Sequence, residues 1–343
     1  MTDLICSKCK EHNMRVLVTG GAGFIGHEVI RTILRQTDWD VISLDRLDSS
    51  GTLDRLAEIL NEQEEWRSRL HVIWHDLKAP INDHVASRIG KVNLILHLAA
   101  SSHVDRSLAD PVSFVMDNVL GTVNILEFSR HCMQHFLKMF IFFGTDEVFG
   151  PAKREVFYRE DDRFNCTNPY SATKAGGEVL AKAFHLSYGL PVVVTHTMNV
   201  FGKRQHPEKF IPRIIRNVLN GETVPIHADP TCTMPGSRFY ILASDVAEAL
   251  LFLVEHANLG EAYNIVGSEE LDNLEVAKVV ADSVGKELVF KLVDYHSSRP
   301  GHDLRYALSG EKLAKMGWQA HGPVKTQIRD VVRWTLANNR WLY

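Results

Sequence analysis

The sequence predicts an α/β protein, a doubly wound parallel sheet carrying a smaller mixed α/β substrate-binding lobe. Three observations lead there. Short apolar runs of strand length alternate with helical patterns from Arg15 to Asn199. Glycines 20, 23 and 26 stand at G-x-x-G-x-x-G spacing between the first strand and the first helix. Beyond Asn199 the alternation gives way to a stretch with prolines at 207, 212, 225, 230 and 235.

The first strand is Arg15 to Thr19, and the helix after the glycines runs to about Arg35. In such a turn Gly20 permits the tight bend, Gly23 lets a pyrophosphate approach the backbone, and Gly26 lets helix and strand pack closely. Gly20, Gly23, Phe24, Ile25 and Gly26 are thus expected around the phosphates, where the helix amino terminus favours anions. Asp40 to Asp45 forms the second strand. Asp45 at its end suits the adenosine ribose hydroxyls and would repel a 2′-phosphate, which favours NAD over NADP. Arg46 pulls the other way, since an arginine can pair with that phosphate.

Leu53, Leu56, Ala57 and Leu60 have helical spacing and read as core. The third strand, Leu70 to His75, is closed by Asp76 and Leu77, candidates for the adenine end of a dinucleotide. Val92 to Leu98 is the fourth strand, and Ala99-Ala100 keeps the following turn small for close cofactor contact. Ser101 to Arg106 then lines the same crevice. His103 has no partner at metal-ligand spacing and reads as a hydrogen-bonded loop histidine, so no metal is expected. Asp110 caps a long helix with Pro111 in its first turn. Val112, Val115, Val119, Val123 and Leu126 are its expected apolar face.

Met139 to Phe143 reads as a buried strand that Gly144 ends. Thr145, Asp146 and Glu147 follow at its carboxyl end, where ligands bind in open α/β sheets. Two adjacent acids there suit general acid and base chemistry. Tyr170 and Lys174 open the next helix, share one face, and form a pair able to generate a phenolate base. Val192 to His196 is the sixth strand. Ala262 to Val266 is a further strand, and residues 309–339 contain two helices. These elements divide the chain into a flexible tail (1–13), a cofactor-binding domain (14–199 plus 240–267) and a substrate lobe (200–239 plus 268–343).

The chain has 38 basic and 42 acidic residues, a net charge of −4 and no like-charged block, so no nucleic-acid surface is expected. No apolar run has the length of a membrane span and none resembles a secretion signal, so no membrane partner and a cytoplasmic location are expected. Of five cysteines, Cys6-x-x-Cys9 lacks a second ligand pair, and Cys132, Cys166 and Cys232 read as reduced thiols.

Taken together, these motifs resemble the extended short-chain dehydrogenases/reductases. They are most similar to the nucleotide-sugar 4,6-dehydratases of the dTDP-glucose type, which are Rossmann-type enzymes. The resemblance rests on Thr19 to Gly26, His97 to Ala100, Ser102 to Ser107, Thr145 to Gly150, Tyr170 with Lys174, Pro207 to Pro212, and Arg299 to Asp303. It implies NAD as cofactor and Leu98, Ala99 and Ala100 among its contacts. It also implies a nucleoside-diphosphate sugar as substrate, and a homodimer formed as a four-helix bundle by 112–130 and 171–188. Tyr170 would take the sugar 4-hydroxyl proton, with Lys174 supporting it and Thr145 bonding the 4-oxygen. Glu147 would remove the C-5 proton, Asp146 would protonate the departing 6-hydroxyl, and hydride would return at C-6.

Substrate contacts are expected from Ser102, His103, Asn199, Lys209, Arg238, Asn264, Arg299, His302 and Tyr306. The chain departs from the family pattern at Ser101, where an acid is usual, at Thr195 to Met198, at Phe239-Tyr240 and in a long stretch from Ala228 to Ser237. These border the nucleotide and sugar pockets and leave base and sugar open. A 4-epimerase, a decarboxylase or a 5,6-dehydratase on the same fold is the alternative, and a non-catalytic NAD-sensing scaffold is the more distant one.

Overall fold

Seven strands, all parallel, form the frame of the computed structural model, which describes residues 14–48, 50–133, 135–295 and 303–343. The tail with Cys6 and Cys9, and the expected substrate residues Arg299 and His302, lie outside the described residues. The strands in chain order are β1 (Arg15–Thr19), β2 (Asp40–Asp45), β3 (Leu70–Trp74), β4 (Leu94–His97), β5 (Met139–Thr145), β6 (Val192–Thr197), β7 (Asn199–Phe201), β8 (Val224–Ala228), β9 (Ser237–Leu242), β10 (Ala262–Ile265), β11 (Glu270–Asp272) and β12 (Phe290–Asp294). The large sheet has the order β10-β6-β5-β4-β1-β2-β3. Strand order therefore reverses beside β1, and a crevice opens above the carboxyl ends of β1 and β4. Two apolar layers sandwich this sheet: Val16, Val18, Ile30, Ile33, Leu250 and Ile265 on one face, Leu17, Ile42, Ile95, Phe140, Phe142 and Val194 on the other. Alternate residues of one strand feed opposite layers, as the pleat requires.

Gly144, expected to end the fifth strand, sits inside it. β5 pairs with β6 as far as Thr145↔Thr197. A Cβ at Gly144 would lie 2.4 Å from the Thr195 carbonyl oxygen, so the glycine permits the strands' close approach. The chain turns only afterwards, in a single 3₁₀ turn, Asp146–Phe149.

The helix opened by Asp110 runs as Pro111–Val115, a π-helical turn Met116–Leu120, and Gly121–Cys132. Its expected apolar face is corrected by the structure. Leu126 is in the core, together with Phe114, Ile125 and Phe128. Val112 and Val115, however, are 69% and 47% exposed. The extra residue of the π turn rotates the following segment relative to the first, so one 3.6-residue stripe cannot describe both. Polar Asn118 takes a buried place because its amide is satisfied: it accepts from Ser101 N (2.8 Å) and donates to Ser101 O (3.0 Å) and Thr173 Oγ1 (3.0 Å).

The helix Pro169–Tyr188 is stopped by Gly189 in the left-handed region (φ 69°). Its start is fixed by a capping box between Asn168 and Ser171, with Pro169 in the first turn.

A second apolar core gathers Phe201, Ile214, Ile215, Ile226, Leu271, Val276, Val280, Ile328 and Val332. The helices Phe210–Asn220, Asn273–Val284 and Val324–Ala337 enclose it, with the small sheets β11-β9-β7 and β12-β8. The helix Glu311–Met316 instead lies against the large sheet, where Leu313 and Trp318 enter its core. Among the described residues no helix is long and apolar enough to cross a membrane, and no group of three or more His, Cys, Asp or Glu side chains could hold a metal ion. Cys132, Cys166 and Cys232 are free thiols.

Candidate active site

A cleft of about 450 Å³ lies over the strand-order reversal. All the residues expected to bind cofactor line it: Gly20, Gly23, Phe24, Ile25, Gly26, Asp45, Asp76, Leu77, Leu98, Ala99, Ala100, Tyr170 and Lys174. The glycine turn fits a dinucleotide in its backbone. Gly20 has φ 71°, and a Cβ there would come within 2.9 Å of Ala99. A Cβ at Gly26 would come within 2.1 Å of the Gly20 carbonyl oxygen, so the helix start could not approach the turn. The helix Phe24–Gln36 has no side-chain cap and no acid in its first turn, so its end is open to a diphosphate.

Asp45 accepts from Ala22 N (3.0 Å) and Leu47 N (2.8 Å). One bond to each carboxylate oxygen leaves lone pairs for ribose hydroxyls. Burial pushes its carboxyl up, and the backbone donors oppose that. Asp76 faces the same cleft, with its carboxylate on Lys78 N (3.0 Å) and Lys78 Nζ (3.2 Å).

Thr145, Asp146 and Glu147 enter the cleft from the end of β5, opposite Tyr170 and Lys174. The Tyr170 phenol is buried, hydrogen-bonded with Thr145, and edge-on to Phe114. Lys174 Nζ donates to Phe143 O (2.7 Å), and burial lowers the ammonium to about 8 against the opposing charge of Glu178. The Lys174 ammonium together with the cofactor's charge is what would favour the phenolate; without the cofactor the chain's own groups act oppositely on the phenol. Burial and the Glu147 charge push it up, with the Thr145 hydrogen bond pulling the other way. Water is stripped from the phenolate, and Lys174 is turned to a carbonyl.

The two acids differ in surroundings. Burial, then the charge of Glu147, lifts Asp146 to about 7. Its Oδ1 accepts from Thr145 Oγ1 (3.1 Å), and Oδ2 is buried without a hydrogen-bond partner. Glu147 is also raised by burial, but donors oppose it. Its Oε2 receives Asn168 Nδ2 (3.2 Å) and Tyr306 Oη (3.5 Å). The two carboxyls thus differ in hydrogen bonding: Asp146 keeps one buried oxygen without a donor, while Glu147 has donors on Oε2.

A side pocket of about 230 Å³ continues from the cleft. Ser102, His103, Asn199 and Lys209 line both, and Arg238 and Tyr306 line the side pocket, as expected of substrate contacts. Arg238 stacks on Tyr306 and donates to the carbonyls of Ser237 and Leu304. Asn264 does not reach either. It is fully buried, bonded to His196 Nδ1 (3.0 Å), Tyr158 O (3.1 Å) and Ser309 O (3.2 Å). Its place in β10, beside β6, points it into a polar core with Glu178 and His196 rather than toward the substrate.

Asn168 and Asp117 were not legible as site residues. Asn168 reads in sequence as a helix cap, and nothing there says that its amide also reaches Glu147. Asp117 sits on the π turn, off any regular helical stripe.

Fold and site define a dinucleotide-dependent enzyme with a Tyr–Lys pair and two further carboxyls at one substrate pocket. The chain belongs to the GDP-mannose 4,6 dehydratase family, whose model matches residues 17–332. It is similar to dTDP-glucose 4,6-dehydratase of Shigella flexneri, 36% identical over 354 residues covering 96% of this chain and 94% of that one. It is also similar to the low-salt glycan biosynthesis protein Agl12 of Haloferax volcanii, 37% identical and covering 95% of this chain and all of that one. Among solved structures it resembles the dTDP-glucose 4,6-dehydratase DesIV of Streptomyces venezuelae with NAD and dTDP bound. There the TM-score is 0.85 and identity 33%, over 96% of this chain and 98% of that one.

Proposed function

We propose that the protein is an NAD-dependent hydro-lyase converting a nucleoside-diphosphate hexose, of the dTDP- or UDP-glucose type, to its 4-keto-6-deoxy derivative. The observation that carries this is the unequal pair Asp146 and Glu147 beside Tyr170 in one cleft. NAD would be held at the glycine turn and Asp45 and would supply a reversible hydride acceptor for the sugar, with C-6 the expected site of hydride return. The residues of this chain do the rest. The glycine turn holds the diphosphate, and Asp45 the ribose. Asp76, Leu77, Leu98, Ala99 and Ala100 wall the seat. Tyr170 Oη takes the proton of the 4-hydroxyl, with Thr145 Oγ1 fixing that oxygen and Lys174 holding the adjacent ribose. The cofactor's positive charge opposes the burial that lifts the phenol. Glu147 removes the proton at C-5, made acidic by the neighbouring ketone, and Asp146 delivers a proton to the departing 6-hydroxyl.

Ser102, His103, Asn199, Lys209, Arg238 and Tyr306 would receive the substrate, with the positive charge of Arg238 and Lys209 toward the diphosphate. Arg299 and His302 complete this proposal from sequence. The two-lobe division at 199/200, 239/240 and 267/268 belongs to the same reading, with two adjustments: the 239/240 boundary falls inside β9 (Ser237–Leu242), and the helix Glu311–Met316 packs on the large sheet rather than in the lobe. A cytoplasmic location belongs to it as well.

The test is a panel of dTDP-, UDP-, CDP- and GDP-hexoses analysed by mass. Loss of one water from one of them supports the assignment. A product of unchanged mass but altered configuration would favour the 4-epimerase reading.

A homodimer is part of the proposal. Val112, Val115 and Met116 (69%, 47% and 38% exposed) and Val179 and Leu186 (55% and 83%) make outward apolar surface on the two helical stretches expected to pair. The double change Val115→Lys and Leu186→Lys is expected to convert a dimer to monomer in sedimentation while the fold is retained. A monomeric wild type at micromolar concentration would remove the dimer.

A further inference from the structure

Arg46 directly follows the ribose-facing Asp45 and could, by position, take a 2′-phosphate. The structure shows it occupied. Its Nη1 and Nη2 donate to the two oxygens of Asp117 (2.6 and 3.1 Å), and its Nε donates to Asp48 Oδ2 (2.7 Å). Asp117 is fixed in turn, accepting from Ser101 Oγ at 2.6 Å. A two-pronged arginine–carboxylate contact is directional and stronger than a single exposed ion pair. The Asp117 side chain is only 9% exposed, against 37% for Asp48, so the inner pair is the less screened of the two. Asp45, Arg46, Asp48, Ser101 and Asp117 all line the cofactor cleft.

Asp117 lies on the π turn of the facing helix, which brings Asp117 and Asn118 both to Ser101.

We infer that Asp117, with Asp48, selects the cofactor by holding the Arg46 guanidinium shut, so that NADP finds three carboxylates at the ribose and Arg46 already paired. This rests on the reading that Asp45 faces the adenosine ribose. Two independent demands would meet a 2′-phosphate. It would have to break the contact with Asp117, and it would bring about two further negative charges beside Asp45 and Asp48. A 2′-hydroxyl meets neither.

Thermal unfolding of the full chain, titrated separately with NAD+ and NADP+, tests this without turnover. The wild type is expected to be stabilised by NAD+ and hardly by NADP+. Asp48→Asn with Asp117→Asn is expected to tighten NADP+ at least about tenfold, equivalent to about 1.4 kcal/mol, while NAD+ binding persists. Adding Arg46→Ala to that pair is expected to abolish the gain. If the double variant does not fold, Asp117→Asn alone carries the same expectation in smaller degree. The inference is overturned if the variants reject NADP+ as strongly as the wild type while still binding NAD+, or if the gain survives Arg46→Ala. The underlying seat is tested separately: an NAD+ affinity unchanged in Asp45→Ala would refute the ribose reading itself.

Discussion

Tyr170→Phe is expected to abolish turnover, lowering kcat by about three orders of magnitude, while NAD+ still stabilises the chain against heat. The ring would keep its apolar place against Phe114 and lose only the hydroxyl. That hydroxyl is the group placed with Thr145 at the head of the cleft, and no other described side chain there combines a phenol with that position. The direction of its titration adds a second expectation. Burial and Glu147 raise the phenol. The active, ionised form is therefore favoured as pH rises, and wild-type oxidation at C-4 should increase toward alkaline pH. A Phe variant with wild-type turnover would remove Tyr170 from the chemistry.

Asp146→Asn is the second large effect. C-4 oxidation should proceed, because Tyr170 and Thr145 remain and an Asn Oδ1 can keep the bond from Thr145 Oγ1, but the 6-hydroxyl would lack its proton donor. Product formation should fall about a hundredfold or more. Reduced nicotinamide should build up, visible by its near-ultraviolet absorbance. Wild-type conversion in this variant would contradict the role given to Asp146.

The same substitution predicts a pH-dependent gain in stability. A carboxyl whose folded pKa is raised, here to about 7, favours the folded state most below its unfolded value near 3.8 and loses that contribution as pH rises through 7. Above neutrality the buried, partly unsatisfied carboxylate costs stability. Without cofactor, Asp146→Asn should therefore raise Tm more at pH about 8 than at pH about 5. This is the opposition between activity and stability expected of a group buried for its chemistry.

The sheet was legible because its signals are local. β1 and β2 match the apolar runs residue for residue, and the glycine turn lies between a strand and a helix, where a dinucleotide turn must lie. The gathering of the candidate residues in one cleft was legible because Thr145 to Glu147 follow a buried strand and Tyr170 and Lys174 start a capped helix. What escaped depends on contacts distant in sequence. Gly144 stays in β5 because of Thr195, across the sheet. The outward turn of Val112 and Val115 depends on a π turn that periodicity does not announce. Asn264 looks like any polar residue within a strand until His196 is found beside it. The burial that raises the Tyr170 phenol comes from the surrounding fold, which spacing on one helix cannot convey.

In the proposed reaction, oxidation at C-4 and reduction at C-6 occur on one sugar with a base and an acid working between them. A nucleoside-diphosphate hexose deuterated at C-4 is the decisive substrate. The expected product is lighter by one water and carries the deuterium at C-6 and a solvent hydrogen at C-5. Deuterium retained at C-4 in a product of unchanged mass would contradict it.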